Sequence, residues 1–303
     1  MLLVNLVETL RNVEGLQISL NEQMSAHTTF GIGGPADVFV EVETGQALVE
    51  VLAVLKQSEI SWFLLGDGAN LLVSDKGIRG VVLHLGGQFE QITCDGFRIT
   101  SGSAARISRV ADLAAQNALT GFEGVGTVPG SVGGAIVMNA GTHRGYIGDV
   151  VVQLRAVEPG GGLVTLTHDE CGFQYRTSRF QIEHGFIITE VTFELKHGDS
   201  LSIAEELDSV RKHRKATQPQ GKSAGCFFKN PGGSSAGKLI EASGLKGMRV
   251  GGAMVASEHA NFIINDNGAS ASDVLILATK VRETVKSNFG MDLEFEVRVV
   301  GDW

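Results

Sequence analysis

Hydrophobic residues along the chain recur with two spacings. Short apolar or alternating runs predict β-strands, because successive side chains of a strand point to opposite faces. Longer segments predict helices, as in residues 46–56, where Leu48, Val51, Leu52 and Leu55 share one face. Strands are predicted at residues 38–42, 62–65, 81–85, 150–157, 186–195 and 294–300, and helices at residues 46–56, 104–119, 202–218 and 272–288.

Polar residues mark the ends of the two long helices near the C-terminus. Ser202 and Glu205 have the spacing of a capping box, and Pro219 ends that helix. The last helix is predicted to begin at Ser272, and Gly290 follows its end. The pattern changes near residues 197–200, which predicts a boundary between a glycine-rich mixed region and a smaller α+β region.

Composition and charge narrow the class of protein. The net charge is −9, which disfavours a general nucleic-acid binder. The three cysteines lie far apart without a zinc or disulfide spacing. No apolar run reaches the roughly 18 residues that cross a bilayer. The first residues contain Glu8 and no basic segment, so a short helix is predicted there and not a signal peptide. We expect a soluble cytoplasmic protein without membrane or nucleic-acid partners.

Positive charge is concentrated in one segment of this acidic chain. Residues 211–249 contain nine Lys or Arg and a single acid, Glu241. One interpretation is a solvated basic face. The other is attraction for an anionic ligand such as a phosphorylated small molecule. Glycines and aromatic residues are interleaved with these cations, which favours a pocket.

Glycine is abundant, at 40 of 303 residues, about twice the usual share of roughly 7%. Two clusters stand out, at residues 65–72 and 124–134. Neither has the GxGxxG pattern, and no acid follows the second at the distance typical of a Rossmann site. Each alone could be a tight turn. Two such clusters in one region nevertheless favour a dinucleotide site, because glycine lets backbone N–H groups approach a ligand.

A third glycine-rich stretch, residues 232–239, matches the phosphate-binding pattern GxxxxGK. It ends in Leu239, where a P-loop needs Ser or Thr to hold Mg²⁺, and it follows Pro231 and not an apolar strand. The alternative interpretation is a turn leading into a short helix at residues 238–242.

Among the cysteines and histidines, Cys226 differs from the rest. Cationic neighbours would lower the pKa of its thiol and make it a usable acid or nucleophile. Cys94 and Cys171 are predicted to be inert buried thiols. His27 and His259 lie in polar segments, where a structural or solvated role is predicted. No histidine cluster provides a set of metal ligands, so no metal is expected.

Six motifs together resemble one enzyme family. In this order and register, the chain resembles UDP-N-acetylenolpyruvoylglucosamine reductases of the compact branch, which are flavoenzymes of peptidoglycan synthesis. The resemblance covers about residues 22–301. The motifs lie at residues 29–37, 65–72, 128–141, 175–178, 225–231 and 294–298.

The resemblance implies a fold of the α+β class. It contains an FAD-binding region of the vanillyl-alcohol-oxidase type with two subdomains, expected at residues 1–80 and 81–196. A C-terminal α+β substrate domain is expected at residues 197–303. FAD would be bound non-covalently, NADPH would be the co-substrate, and no obligate protein partner is expected.

The resemblance also assigns roles to individual residues. The catalytic residues would be Arg176, Cys226 and Glu296. Substrate contacts would come from Tyr175, Arg214, Lys229 and Asn230. FAD would be bound by residues of the two glycine clusters, namely Gly66, Asp67, Gly68, Ala69, Asn70, Leu71, Thr127, Pro129, Gly130, Ser131, Gly133, Gly134 and Ala135.

The chemistry implied is hydride transfer from NADPH, through FAD, to C3 of an enolpyruvyl group. Negative charge then spreads from C2 into the carboxylate, so the site needs a cation or hydrogen-bond donor and a proton source. Arg176 and Glu296 would stabilise and orient this enolate. Most family members have serine where this chain has Cys226, and a thiol, with a pKa near 8.5, is the stronger acid. Either Cys226 or Glu296 could deliver the proton.

Two other functions are compatible with parts of the pattern. A sugar-alcohol oxidase of the same fold would share the first 196 residues but lack Arg176, Cys226 and Glu296 as a set. A nucleotide-sugar-binding regulator without catalysis would not need them.

Overall fold

The computed structural model describes residues 2–303. Most helices are short, and strands are distributed over several small sheets. The helices are α1 (Leu2–Leu10), α2 (Gly45–Gln57), α3 (Ile107–Gln116), α4 (Val132–Met138), α5 (Arg179–Ile182), α6 (Ser200–Thr217), α7 (Ala236–Ala242) and α8 (Ala271–Phe289).

The strands are β1 (Leu16–Gln23), β2 (Pro35–Val42), β3 (Trp62–Leu65), β4 (Leu71–Val73), β5 (Ile78–Leu85), β6 (Ile92–Asp95), β7 (Arg98–Gly102), β8 (Leu119–Thr120), β9 (Gly141–Thr142), β10 (Gly145–Tyr146), β11 (Val151–Val157), β12 (Leu163–Thr167), β13 (Ile187–Glu194), β14 (Lys196–His197), β15 (Arg249–Val250), β16 (Ala253–Val255), β17 (Ile263–Asn265) and β18 (Arg298–Val300). A four-stranded sheet has the order β1-β2-β5-β3.

The chain forms two compact units. The first consists of residues 2–19, 39–67 and 82–212. Its antiparallel sheet has the order β12-β11-β13-β7-β6. The apolar faces of α3 and α4 belong to the core of this unit, which includes the fully buried rings of Phe122 and Phe193. These rings pack edge to face with their centroids 5.1 Å apart.

The second unit consists of residues 20–38, 68–81 and 213–303. It contains the sheet β15-β16-β17 and the parallel pair of β4 with β18. The apolar stripe of α8 packs into a core with α7 and with the rings of Phe227 and Phe228. Since Phe227 and Phe228 are 1% exposed, the backbone beside Cys226 is held inside this core.

The strongest periodic patterns predict the elements correctly. The helix at residues 46–56 and the strand at residues 62–65 are confirmed as α2 and β3. The turn and short helix expected within residues 232–242 are confirmed by α7, whose first N–H group, that of Ala236, donates to Asn230 Oδ1. Among the described residues, no helix is long and apolar enough to cross a membrane.

The capping box predicted from Ser202 and Glu205 is wrong. Helix α6 begins at Ser200, and the cap is Asp199. Its Oδ1 accepts hydrogen bonds from the N–H and the hydroxyl of Ser202, at 2.9 and 2.8 Å. These bonds hold the pKa of Asp199 below its usual value. An acid three residues upstream of the expected start therefore caps the helix in place of the serine.

Two predicted elements are shorter in the structure. The helix at residues 104–119 narrows to α3. Before its start, the carbonyl of Ala105 accepts from the N–H of Val132, and after its end Ala118 is left-handed with φ 52°. The strand at residues 294–300 narrows to β18. Residues 294–297 of the predicted strand lie outside β18, and there Phe295 makes an isolated β-bridge to Phe228.

Helix α8 begins one residue before its predicted start and has a complete capping box of Ser270 and Asp273. The carboxylate of Asp75 also accepts from the N–H groups of Ala271 and Ser272, at 2.7 and 3.0 Å. The C-terminal helix is thus anchored through its first turn.

The domain division at residues 80 and 196 stays a prediction. It does not coincide with the two compact units, since residues 82–212 lie together in the first. Strand β5 is continuous across residue 80, and residues 196 and 197 form β14, which pairs with β8, so neither boundary is a linker in the described chain.

Candidate active site

The first glycine cluster begins at the end of β3. A Cβ atom on Gly66 would lie 2.7 Å from the hydroxyl of Ser131, so a side chain at this position would force that hydroxyl to shift. Next to it, burial raises the pKa of Asp67, and the Arg106 guanidinium at 3.8 Å opposes the shift. In the first unit, Gly66 therefore connects the two glycine clusters that the sequence predicts for a dinucleotide.

The remaining residues of this cluster belong to the second unit. The Asn70 side chain donates to the carbonyl of Glu296 at 3.0 Å, and the Asn70 carbonyl accepts from the N–H of Arg298. Leu71 then starts β4, which pairs in parallel with β18. These contacts fix the loop that contains Gly68 and Ala69 beside the segment that contains Glu296.

The second glycine cluster lies against the end of β7. Ser131 caps α4 by accepting from the N–H of Gly134. The N–H of Gly133 donates to the Ser103 carbonyl at 2.7 Å, and a Cβ on Gly133 would lie 3.0 Å from that of Ser103. The backbone around Ser131 and Gly133 is therefore closely packed and free of bulky side chains.

Two buried hydroxyls near this cluster make no hydrogen bond to the described residues. Thr127 Oγ1 and Ser103 Oγ are buried and have no hydrogen-bond partner among the described residues. Ser103 is only 4% exposed. Buried polar atoms are normally satisfied, so these hydroxyls indicate a bound molecule or water. A glycine-lined surface with spare hydroxyls fits a dinucleotide, which carries many hydrogen-bonding groups.

Sequence reasoning missed Ser103. The available signal was the run of small residues at 101–105, which spans the end of β7 and the loop before α3. Such a run permits close backbone approach as glycine does. Together with the two glycine clusters, this run would have indicated a third segment that a ligand can approach closely.

Tyr175 and Arg176 form the tip of a two-residue turn. Gln174 and Thr177 exchange both backbone hydrogen bonds, at 3.0 and 3.2 Å. Arg176 takes a left-handed conformation with φ 55°. Its guanidinium carbon lies 6.0 Å from the centroid of the Tyr175 ring. Tyr175 is half exposed, so its ring is accessible at the tip of the turn, whereas Arg176 is partly buried.

This turn is fastened to the C-terminal end of α4. The Asn139 side chain donates to the Gln174 carbonyl at 2.9 Å, and its Oδ1 accepts from the N–H of Gly148 at 3.1 Å. Ser178 Oγ donates to the Val137 carbonyl at 2.8 Å. Helix α4 therefore connects the second glycine cluster, at its start, to the turn that carries Arg176.

In the second unit, Cys226 and Glu296 lie on neighbouring segments. Cys226 forms an isolated bridge with Phe262 on one side. On the other side, the N–H of Glu296 donates to the Phe227 carbonyl at 2.9 Å. Lys229 follows on the same segment, and its N–H donates to the Glu294 carbonyl. The structure thus places the backbone segments of two of the three predicted catalytic residues side by side.

Arg214 is electrostatically coupled to Cys226. Burial lowers the pKa of Arg214, and the Cys226 thiol, when ionised, opposes that shift. Because the attraction is mutual, the guanidinium favours the ionised thiol. Lys229 Nζ lies 3.3 Å from Glu294 Oε2, and Asn230 Oδ1 is occupied as the cap of α7.

Ion pairs neutralise part of the positive charge that the sequence shows in the basic segment 211–249. Several of its exposed cations are in ion pairs, which is the behaviour of a solvated face. These pairs are Arg211 with Asp112, Lys212 with Asp208, Lys246 with Glu241 and Arg249 with Asp266. The candidates for an anionic ligand therefore narrow to the cations near Cys226, chiefly Arg214.

Comparison with known proteins agrees with this arrangement. Residues 36–167 match the model of the FAD binding domain family, and residues 217–300 match that of the C-terminal domain of UDP-N-acetylenolpyruvoylglucosamine reductase. Both matches confirm the predicted α+β fold with an FAD-binding region and a C-terminal substrate domain.

Individual relatives extend the match over nearly the whole chain. UDP-N-acetylenolpyruvoylglucosamine reductase of Bacillus subtilis is 37% identical over 97% of this chain and 98% of its own length. The reductase of Caldanaerobacter subterraneus is 40% identical over 98% of both chains. The crystal structure of the Thermus caldophilus reductase has a TM-score of 0.81 at 38% identity and covers 94% of this chain and 98% of its own. The chain therefore belongs to the UDP-N-acetylenolpyruvoylglucosamine reductase family.

Proposed function

We propose that this chain uses NADPH to reduce the enolpyruvyl group of UDP-N-acetylglucosamine enolpyruvate, forming UDP-N-acetylmuramate for peptidoglycan. The observation that carries the proposal is the backbone pairing of the Glu296 segment with the Cys226 segment, two positions to which the family resemblance assigns roles in the reaction. The expected location is the cytoplasm, where NADPH is available, and no obligate protein partner is proposed.

The decisive test is the visible flavin absorbance of the purified protein. It should be bleached by NADPH and should return, without oxygen, when the enolpyruvyl substrate is added. A sugar-alcohol oxidase would be bleached by its sugar instead. A binding protein without catalysis would show no substrate-dependent return.

Bound FAD supplies the two-electron chemistry, because it can accept hydride from NADPH and pass hydride to C3 of the substrate. We propose that the chain binds it with Gly66 to Leu71 and with Thr127 to Ala135. Backbone N–H groups would hold the pyrophosphate, and the spare hydroxyl of Thr127 would accept or donate one hydrogen bond. Gly66 and Gly133 are partly exposed and Gly134 is exposed, which leaves their backbone accessible for this purpose.

In the proposed mechanism, Cys226 protonates C2 of the substrate after hydride addition at C3. The thiol is the stronger acid compared with the serine usual at this position. The neighbouring Arg214 stabilises the thiolate that forms when the proton leaves. Glu296 would orient the enolate or hold a water molecule that restores the proton.

Arg176 is proposed to bind the carboxylate on which negative charge accumulates. A planar guanidinium can donate two parallel hydrogen bonds to a carboxylate, which a lysine cannot do. The turn conformation and the anchor to α4 hold its backbone in place before substrate arrives.

Replacement of Arg214 or Lys229 by alanine should raise the Michaelis constant for the UDP substrate, since both cations are proposed to attract its anionic groups. Added salt should have the same effect on the wild type, because it screens exposed charges. Steady-state kinetics at varied ionic strength measure both. Lys212→Ala is the matched control, since Lys212 is exposed and paired with Asp208. An unchanged constant in both test variants would contradict the proposal.

Replacement of Ser103 by alanine should weaken FAD binding about threefold to tenfold, the worth of one hydrogen bond of roughly 1 kcal/mol. Titration of the apoprotein, followed by flavin fluorescence, measures this dissociation constant. Ser101→Ala is the control, because Ser101 is equally buried but its hydroxyl already donates to the Gly102 carbonyl at 3.0 Å. Equal dissociation constants for the two variants would mean that the Ser103 hydroxyl binds water only.

A further inference from the structure

One buried side chain holds the segment that carries Cys226. Asn261 is 3% exposed. Its Oδ1 accepts from the N–H of Phe228 at 3.0 Å, and its Nδ2 donates to the Phe228 carbonyl at 2.8 Å. The Asn261 carbonyl accepts from the N–H of Phe227 at 2.7 Å. A single residue therefore satisfies three backbone groups directly after Cys226.

Asn261 is itself fixed by its neighbours. Its N–H donates to His259 Nδ1 at 3.2 Å, and Phe262 donates back to the His259 carbonyl to close a turn. Burial lowers the pKa of His259, which favours the neutral ring, whose Nδ1 can accept this bond. Phe262, the next residue, is the bridge partner of Cys226. The turn at residues 259–262 thus sets the backbone on one side of the thiol.

We propose that Asn261 is a positioning residue for the Cys226 thiol. The proposal rests on the proposed role of Cys226 as proton donor. An asparagine side chain carries an acceptor oxygen and a donor NH2 group at the same distance from its backbone, whereas an ionised carboxylate can only accept hydrogen bonds. Asparagine therefore matches the paired N–H and carbonyl of Phe228, and both of these groups are buried with that residue.

The position of the Cys226 thiol, which the Asn261 hydrogen bonds help to fix, affects the rate of proton transfer. A general acid must lie within hydrogen-bond reach of the atom that it protonates. Cys226 is two residues from Phe228, whose two buried backbone groups lose their partners when the Asn261 side chain is removed. The flanking backbone bonds of Phe227 and Lys229 remain, so we expect a local shift of the segment. Misplacement of a reacting group by about 1 Å can cost roughly 10²-fold in rate.

The test uses the FAD-loaded protein in a Cys94→Ser background, so that alkylation reports on Cys226. Asn261→Ala should slow reoxidation by the UDP substrate by roughly 10-fold to 10²-fold. Reduction by NADPH should not change. The rate of Cys226 alkylation by iodoacetamide, measured across pH, should also shift, and a role in general stability would not move that profile.

Asn265→Ala is the matched control. Asn265 lies on β17, and its side chain donates to the Phe30 carbonyl at 3.1 Å and accepts from the N–H of Ala269 at 2.8 Å. This variant loses the same two kinds of bond without releasing Phe228, so reoxidation and alkylation should keep their wild-type rates. If Asn261→Ala does not fold, Asn261→Ser replaces it, since a hydroxyl can restore one of the two bonds and should give an intermediate loss.

Wild-type reoxidation together with a wild-type alkylation profile in the Asn261 variant would refute the proposal. Equal losses in the Asn261 and Asn265 variants would refute it as well, because they would indicate general destabilisation. Failure of the proposed function would be recognised by a different variant, Cys226→Ala. If Cys226→Ala reoxidises normally, the thiol is not the donor, and the alkylation profile alone then decides whether Asn261 positions it.

Discussion

Replacement of Cys226 by alanine is expected to slow reoxidation of the reduced enzyme by the UDP substrate about 10²-fold to 10⁴-fold, the usual contribution of a positioned general acid. Methyl cannot donate a proton, and the coupled Arg214 would lose the anion that it stabilises. Reduction by NADPH should change little, because this half-reaction needs no proton at the substrate C2. Rapid mixing of each half-reaction separately measures both rates.

Cys226→Ser is the informative companion variant. It restores the family's usual donor and should keep substantial activity, although a hydroxyl is the weaker acid. A thiol alkylator should inactivate the wild type but not this variant, and bound substrate should protect. Cys171 should not react, since burial raises its pKa to about 12 and its Sγ donates to the Thr167 carbonyl at 3.2 Å. Near-normal turnover of Cys226→Ala would leave Glu296, or water held by it, as the donor.

The elements that the sequence predicts correctly are those whose pattern is local. Helix α2 follows from the spacing of its apolar residues, and the short helix α7 follows from a turn sequence. The error in the predicted cap of α6 also has a local cause. Ser202 and Glu205 match a capping box, in which the Glu205 side chain would accept from the Ser202 N–H group, but Asp199 accepts from that group instead. Two acids on either side of Ser202 can satisfy this one backbone group, and the pattern alone does not decide between them.

The site is less predictable, because its supports join distant parts of the chain. The motifs identify Cys226 and Glu296, but only the structure shows that they lie on neighbouring segments, 70 positions apart in sequence. Asn261 is 33 positions from Phe228, and no local pattern relates them. Ser103 meets Gly133 through a similar tertiary contact. Residues that support a site through such contacts leave no periodic signal in one sequence.

Arg176→Lys should lower the rate of reoxidation by the UDP substrate about 10-fold to 10²-fold. Lysine keeps the charge but loses the paired hydrogen bonds, and a charge-assisted hydrogen bond contributes roughly 1.5 to 3 kcal/mol. NADPH should still reduce the flavin at the wild-type rate. Rapid mixing again separates the two steps, and Glu296→Gln should show the same selectivity. If reduction of the flavin fails equally, these residues serve FAD binding instead.

Arg176→Gly separates this function from folding. A left-handed residue other than glycine costs roughly 1 to 2 kcal/mol, so the φ of 55° at Arg176 is steric strain that glycine would relieve. Glycine also gains freedom in the unfolded chain, which offsets part of that gain. We therefore expect a free energy of unfolding within about 1 kcal/mol of the wild type, measured by denaturant titration, together with a loss of activity larger than that of Arg176→Lys. A variant that loses stability and activity in proportion would show that Arg176 is kept for the turn and not for the substrate.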